Sequence, residues 1–326
     1  MRAAFATSLD PADPLSGLVV GEIGGGRPDV PSDWMPIRVR AAALNHHDLW
    51  SLRGVGLRPE RLPMVLGCDA AGETVDGAEV IVHAVIGSAS RYGDETLDPD
   101  RSLLSERYPG TLAPTVWVPP ANVVAKPVAM SWEVAACMPT SWLTAYRMLF
   151  GQGELTPGET VLVQGAGGGV ASALVQLGAA AGLRMWVTSR SPARGARAVA
   201  LGAADAFDIG ARLPERVDAV METVGAATWS HSLKALRPGG RVVLCGATSG
   251  GVPGNAELNR IFFTGLRVLG TTMGTISELR AVTAFVDRAG IVPAIDRVIG
   301  LGDVGAALSA MDAGQTFGKV VVHPAR

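Results

Sequence analysis

The stretch Thr160 to Ala171, TVLVQGAGGGVA, constrains this chain more than any other. Thr160 to Gln164 is a short apolar run led by a β-branched residue and entered through Pro157-Gly158-Glu159, the pattern of a buried parallel strand behind a turn. Glycines follow at once, and Val170 to Ala181 continues as a small apolar helix with no breaker before Gly182. Strand, glycine turn and helix in that order give a glycine pattern its meaning. Gly165, Gly167 and Val170 leave G-x-G-x-x without its third glycine, whereas Gly165, Gly168 and Ala171 make every special position small. The second frame is preferred, because the third position needs only a side chain that lets helix and strand pack closely. The backbone of Gly165, Ala166, Gly167, Gly168, Gly169 and Val170, at the positive end of the helix, then forms a seat for a pyrophosphate. The alternative is a glycine-rich turn without a ligand.

The surrounding pattern alternates strand and helix. Strands are expected at Arg184–Ser189, Ala204–Asp208, Val217–Met221, Arg241–Cys245 and Leu266–Gly270, with a helix at Pro192–Leu201 opening on proline. Repeated βαβ units imply a doubly wound parallel sheet, a Rossmann-type α/β domain. Before about residue 125 the chain reads as mostly β: Pro36–Ala43 alternates apolar and arginine residues, and Glu79–Ile86 and Thr115–Val118 are further strands. From Ser131, which caps WEVAACM, the character turns helical, with a second helix at Ser141–Phe150. Helices near Ser277–Arg288 and Asp303–Met311 and a strand at Lys319–Val322 close the chain.

A length of 326 residues suits two domains. A net charge of −2 argues against nucleic acid or an anionic membrane as partner. The apolar runs are interrupted well short of a membrane span, and the N-terminus meets Asp10 and Pro11 before any signal-like core forms. Cys68, Cys137 and Cys245 are widely spaced and odd in number, so no disulfide framework is implied and a cytoplasmic protein is expected.

Five stretches in order, ALNHHDLWSLRG (Ala43 to Gly54), VLGCDAAG (Val65 to Gly72), LTAYRML (Leu143 to Leu149), the glycine turn, and FGKVVV (Phe317 to Val322), resemble the medium-chain dehydrogenase/reductase superfamily, in detail its zinc-independent quinone oxidoreductase branch. The resemblance covers nearly the whole chain. It implies a β-rich GroES-like catalytic domain (1–125 and 272–326), a Rossmann dinucleotide-binding domain (126–271), and a homodimer joined near the sheet edge at Leu266–Gly270.

An NAD site usually places an acid at the end of the second strand, to accept from the ribose hydroxyls. Here Val187-Thr188-Ser189-Arg190-Ser191 has none. Ser189 can donate to a phosphate, Arg190 offers a planar fork, and Arg194 lies one turn on, so NADP(H) is expected. Otherwise the two arginines are solvated charges at a helix start. Thr144 is the position that the resemblance assigns to the nicotinamide end. Val224 and the run Gly246, Ala247, Thr248 follow strands whose ends line the ligand crevice of such sheets. Lys319 is either a contact at the cofactor or substrate mouth or a solvated lysine.

Zinc-dependent relatives carry ligands where this chain has Asn45, Cys68 and Thr140, and only Cys68 is a firm N/S donor, so no metal is expected. A rearranged site using Cys68, Asp69 and one histidine is the alternative. Without a Lewis acid, hydride transfer needs an acceptor that is already electron-poor, a quinone or activated enone. Asn45 is expected to donate to its carbonyl, Trp50 to wall the pocket, and His46 to be the better candidate proton donor. Asp48 either orients neighbours or simply caps a helix. The polar stretch Gly87 to Gly110 reads equally as a lid or as a solvated insertion. A divergent zinc alcohol dehydrogenase and a non-catalytic NADPH-binding redox sensor remain competing readings.

Overall fold

The computed structural model describes residues 1–24, 26–89 and 92–325. The chain forms two compact units, Met1–Ser141 with Gly274–Arg326, and Trp142–Met273.

The second unit is built on a six-stranded sheet, all of whose pairings are parallel. In spatial order its strands are Asp205–Asp208, Arg184–Ser189, Thr160–Val163, Val217–Glu222, Leu236–Leu244 and Arg267–Gly270. The first strand in sequence lies between the second and the fourth, so the chain reverses its direction of travel beside Thr160–Val163. That is the switch point where open α/β sheets leave a crevice. Successive side chains of a strand face opposite ways. Met185 packs against the helix Gly169–Ala180, where a β-carbon on Gly178 would lie 2.3 Å from the methionine sulfur. Its neighbour Trp186 joins Leu162, Val220, Leu233, Leu236 and Val242 on the other face. The helix expected at Ser141–Phe150 is an α-turn, Leu143–Tyr146, running into wider turns at Arg147–Gln152, where the Gly153 N–H reaches back to Met148 O.

The first unit is a β-rich fold whose main sheet runs Val123–Ala125, Glu79–Val82, Asp69–Glu73, Met35–Ala43, Lys319–His323 and Ile295–Gly300, with Thr115–Val118 also paired to Met35–Ala43. The C-terminal segment enters this sheet as a central strand, pairing Val321 with Ala43. The capped helix Trp132–Ala136 packs on Met35–Ala43 and Asp69–Glu73. The first seam therefore falls at Ser141/Trp142, later than the expected 125/126, because this helix has its apolar partners in the first sheet. The expected strand Glu79–Ile86 is broken after Val82, since Asn122 Nδ2 donates to the carbonyls of His83 and Val85 at 3.0 and 2.6 Å.

The stretch between Gly87 and Gly110 is not a solvated insertion over its described second half. Glu95, Thr96, Ser102, Leu104 and Ser105 are buried. Glu95 lies 3.2 Å from the buried His83 and accepts from the Ile276 N–H, while Ser102–Leu103 pairs with Val85–Ile86. Ser90 and Arg91 of this stretch lie outside the described residues.

Candidate active site

In the second unit the glycine turn is shaped from behind by buried polar side chains. Gly165 has φ +86°, the left-handed region that glycine alone enters freely. Its N–H donates to Thr188 Oγ1 at 3.1 Å, and that hydroxyl donates to Gln164 Oε1 at 2.8 Å. Gln164 Nε2 donates to Ser232 Oγ at 3.0 Å, and Ser232 to Glu222 at 2.5 Å. The fully buried Glu222 also accepts from the N–H groups of Val224 and Gly225, at 2.8 and 3.0 Å. One chain of hydrogen bonds thus joins the turn after Thr160–Val163 to the turn after Val217–Glu222. Sequence reasoning missed Gln164, Thr188 and Glu222; a carboxylate and an amide inside otherwise apolar strands were the available signal.

Gly168 stands at the N-cap of Gly169–Ala180 with no side-chain cap, and a β-carbon there would meet nothing within 4 Å. The helix start accordingly offers N–H groups and room for an anionic ligand beside Ala166, Gly167, Gly169 and Val170. Ala171 is buried, in keeping with the close helix–strand packing of the preferred frame. Arg194 lies across the turn: a β-carbon on Gly167 would come within 3.0 Å of its Nη1. Arg190 is exposed at the end of its strand. Ser189 departs from expectation, because its hydroxyl donates to Ser191 O at 2.8 Å and accepts from the Ser191 N–H at 3.1 Å, which turns it onto its own backbone. Val224 and the Gly246–Thr248 run are brought together, with Ser249 N–H donating to Val224 O and Thr248 Oγ1 to Thr223 O. Thr144 is buried on a helical turn packed against Gly169–Ala180.

The first unit holds a second polar cluster, centred on Lys319. It is 2% exposed, which removes the solvated alternative of its sequence reading. Its ammonium donates to Leu44 O at 2.8 Å, Asn45 Oδ1 at 2.6 Å and Asp69 Oδ2 at 2.9 Å, with Ser141 Oγ at 3.4 Å. A buried ammonium is tolerated only when its donors and charge are matched, and here a carboxylate and two further oxygens match them. Ser141 Oγ also donates to Asn45 Oδ1 at 3.2 Å. Asn45 Nδ2 makes one long bond to Ala43 O, 3.3 Å.

Asp48 is fully buried and caps two backbones, accepting from Asn45 N–H at 2.8 Å and Gly67 N–H at 3.0 Å. Burial pushes its pKa up to about 7, with the Asp69 charge adding to the rise and the backbone bonds opposing it. His46 is exposed, yet the protein packed around its ring lowers its pKa, and the Lys319 charge acts in the same direction. Both effects disfavour the protonated ring, which weakens its expected part as proton donor. Burial takes His47 down to about 4. Trp50 is half-buried with the Arg53 guanidinium 5.3 Å from its ring centroid, and Arg53 is held by Asp312 at 2.7 Å.

The donors expected of a catalytic zinc site do not fit that metal. Asn45 turns its oxygen to an ammonium. The Cys68 thiol donates to Leu104 O at 3.1 Å, and burial raises its pKa well above the ordinary value. Thr140 Oγ1 is buried without a partner. Among the described residues no three His, Cys, Asp or Glu side chains form a metal-holding group.

Comparison with known proteins bears on both units. The family model described as alcohol dehydrogenase GroES-like domain matches residues 31–128, and that described as zinc-binding dehydrogenase matches 169–288. The chain is 27% identical to an acryloyl-coenzyme A reductase of Sulfurisphaera tokodaii, over 95% of this chain and 98% of that protein. A solved NAD-dependent alcohol dehydrogenase superposes with a TM-score of 0.89 and 30% identity, over 99% of both chains. A crotonyl-CoA carboxylase/reductase solved in complex with NADP shares the fold at TM-score 0.89 and 24% identity, over 99% of this chain and 94% of that one.

Proposed function

We propose that this chain, which belongs to the medium-chain dehydrogenase/reductase superfamily and to its quinone oxidoreductase-like branch, is an NADP(H)-dependent reductase of carbon–carbon double bonds conjugated to a carbonyl, of the quinone, enone or unsaturated thioester kind. Support for the phosphorylated cofactor comes from Arg194 lying across Gly167, the exposed Arg190, and the lack of any acid at the end of Arg184–Ser189. A structural neighbour bound to NADP points the same way. Unsaturated thioesters enter because a relative is named for an acryloyl-coenzyme A substrate.

When bound, the reduced cofactor supplies a hydride. The helix start at Gly168 and the two arginines would hold its phosphates, and Val224 and Gly246 to Thr248 would line the crevice at the strand ends. Negative charge that develops on the conjugated carbonyl oxygen during reduction must be met by a donor. The observation that carries this reading is the orientation of Asn45: Lys319 and Ser141 occupy its oxygen, which leaves the amide N–H that does not face Ala43 O as the group to meet that charge. Asp48 holds the backbone on which Asn45 stands, and Trp50 walls the acceptor's place. Burial and the Lys319 charge lower the His46 pKa, which makes it a weaker proton donor than an ordinary histidine.

The deciding assay follows NADPH absorbance with a quinone, an enone and an unsaturated thioester, and runs a primary alcohol with NADP⁺. The conjugated acceptors are expected to react and the alcohol barely to turn over. Asn45→Ala is expected to cost about 10²–10³ in rate, with NADPH affinity little changed. Elemental analysis is expected to find no stoichiometric zinc, and chelators to leave activity intact. An alcohol as best substrate, or unaltered rates in Asn45→Ala, would overturn the proposal.

A further inference from the structure

Three oxygens of different origin converge on the Lys319 ammonium: a backbone carbonyl, an amide oxygen and a carboxylate. They are the three shortest contacts for the three N–H donors of a lysine, with Ser141 Oγ a longer fourth at 3.4 Å. Asn45 and Asp69 belong to the segments in which zinc-dependent relatives place metal ligands and their neighbouring acid, and here one cation bonds to both. A cation on Oδ1 draws electron density from the amide and makes its N–H₂ a stronger donor, the cooperative polarisation expected of chained hydrogen bonds in a low-dielectric setting. Asp69 Oδ1 is buried without a partner, so its charge has no other described compensation than the ammonium on Oδ2.

We propose that Lys319 is the resident cation of this site: it fixes and polarises the Asn45 amide that meets the acceptor oxygen, the electrostatic task that zinc performs in metal-dependent relatives. The inference rests on the reading of Asn45 given above. Lys319 is a positioning residue, acting on substrate only through Asn45.

The test uses the full-length protein. Lys319→Met is expected to lower kcat with an enone by about 10²-fold, as for the loss of an organised donor, with the NADPH dissociation constant within about twofold of wild type. Because that variant strands Asp69 and can unfold, Asp69→Asn/Lys319→Met removes both charges together. Its melting temperature is expected to recover while kcat stays low. Recovery of kcat along with stability would overturn the proposal, since Lys319 would then only balance Asp69. In Lys319→Ala, methylammonium is expected to raise the melting temperature saturably where tetramethylammonium does not, by refilling the three-oxygen cage. Equal effects of the two ions would overturn the cage. That arm reads folding and not turnover, so it decides the cage even if the wild type reduces no enone, a result that would sink the functional reading by itself.

Discussion

Arg194 lies over Gly167 so closely that a β-carbon on the glycine would come within 3.0 Å of Nη1. On the proposed function, a guanidinium held across the glycine turn would meet a cofactor phosphate. Arg194→Ala is therefore expected to weaken NADPH by about 10- to 100-fold, the range of a lost charge-assisted hydrogen bond, and NADH far less. Fluorescence titration of both cofactors checks this; equal losses for the two would remove the 2′-phosphate assignment.

The two outer glycines of the turn are expected to separate stability from binding. Gly165 sits at φ +86°, so Gly165→Ala should destabilise the fold by about 1–2 kcal/mol, the cost of a left-handed residue with a β-carbon. Gly168 has an ordinary φ and open space before it, so Gly168→Ala should melt like the wild type yet bind NADPH poorly, its methyl standing where the pyrophosphate is held. Normal NADPH affinity in Gly168→Ala would place the phosphates elsewhere.

Asp48 carries a signature in the pH dependence of stability. Its folded pKa, about 7, lies above the ordinary 3.8. Between about pH 4 and pH 7 the folded state therefore keeps a proton that the unfolded chain has released, and this group's contribution makes stability fall as pH rises through that window. Below it both states are protonated, and above it both are ionised. Denaturant midpoints measured across pH should show this slope in the wild type and lose it in Asp48→Asn. The variant should also lose about 1 kcal/mol throughout, because one amide oxygen cannot serve both the Asn45 and Gly67 N–H groups. Parallel curves for the two proteins would show that Asp48 does not titrate there.

The outer strand Arg267–Gly270 and the helix Leu258–Phe263 before it expose Val268, Leu258, Phe262 and Phe263, the last at 79%. An open edge strand beside exposed apolar side chains invites pairing, and a second copy of the chain is the expected cover. Light scattering should find a dimer at micromolar concentration, and Phe263→Asp with Val268→Asp should shift it towards monomer. A wild type that is monomeric under those conditions would remove the dimer.

Much of the second unit was legible because its rules are local. The strands Arg184–Ser189 and Val217–Glu222 are apolar runs between breakers, and a glycine turn between strand and helix has few uses. Met35–Ala43 was legible by alternation from Pro36 on, and Thr115–Val118 as a short run between breakers. The short partners Arg2–Ala6 and Leu18–Glu22 were not, since strands this brief owe their existence to pairing with each other. Asn45, Asp48 and Gly168 were singled out by resemblance or by glycine spacing, and the geometry bears on how each could serve. Gln164, Thr188 and Glu222 were passed over, because a polar residue within an apolar run does not announce which partners will satisfy it.

The sequence by itself determined the order of elements, the parallel sheet and the glycine turn, all consequences of periodicity and backbone freedom over a few residues. Tertiary structure alone decided the state of Lys319. On the chain it is a lysine in a late strand, 250 residues from Asp69 and 274 from Asn45; in the fold it lies within 2.9 Å of both. Whether a charged side chain is solvated or buried depends on which distant groups surround it. The Lys319 strand enters the sheet next to Met35–Ala43, itself paired with Asp69–Glu73, and that pairing carries the ammonium to its oxygens.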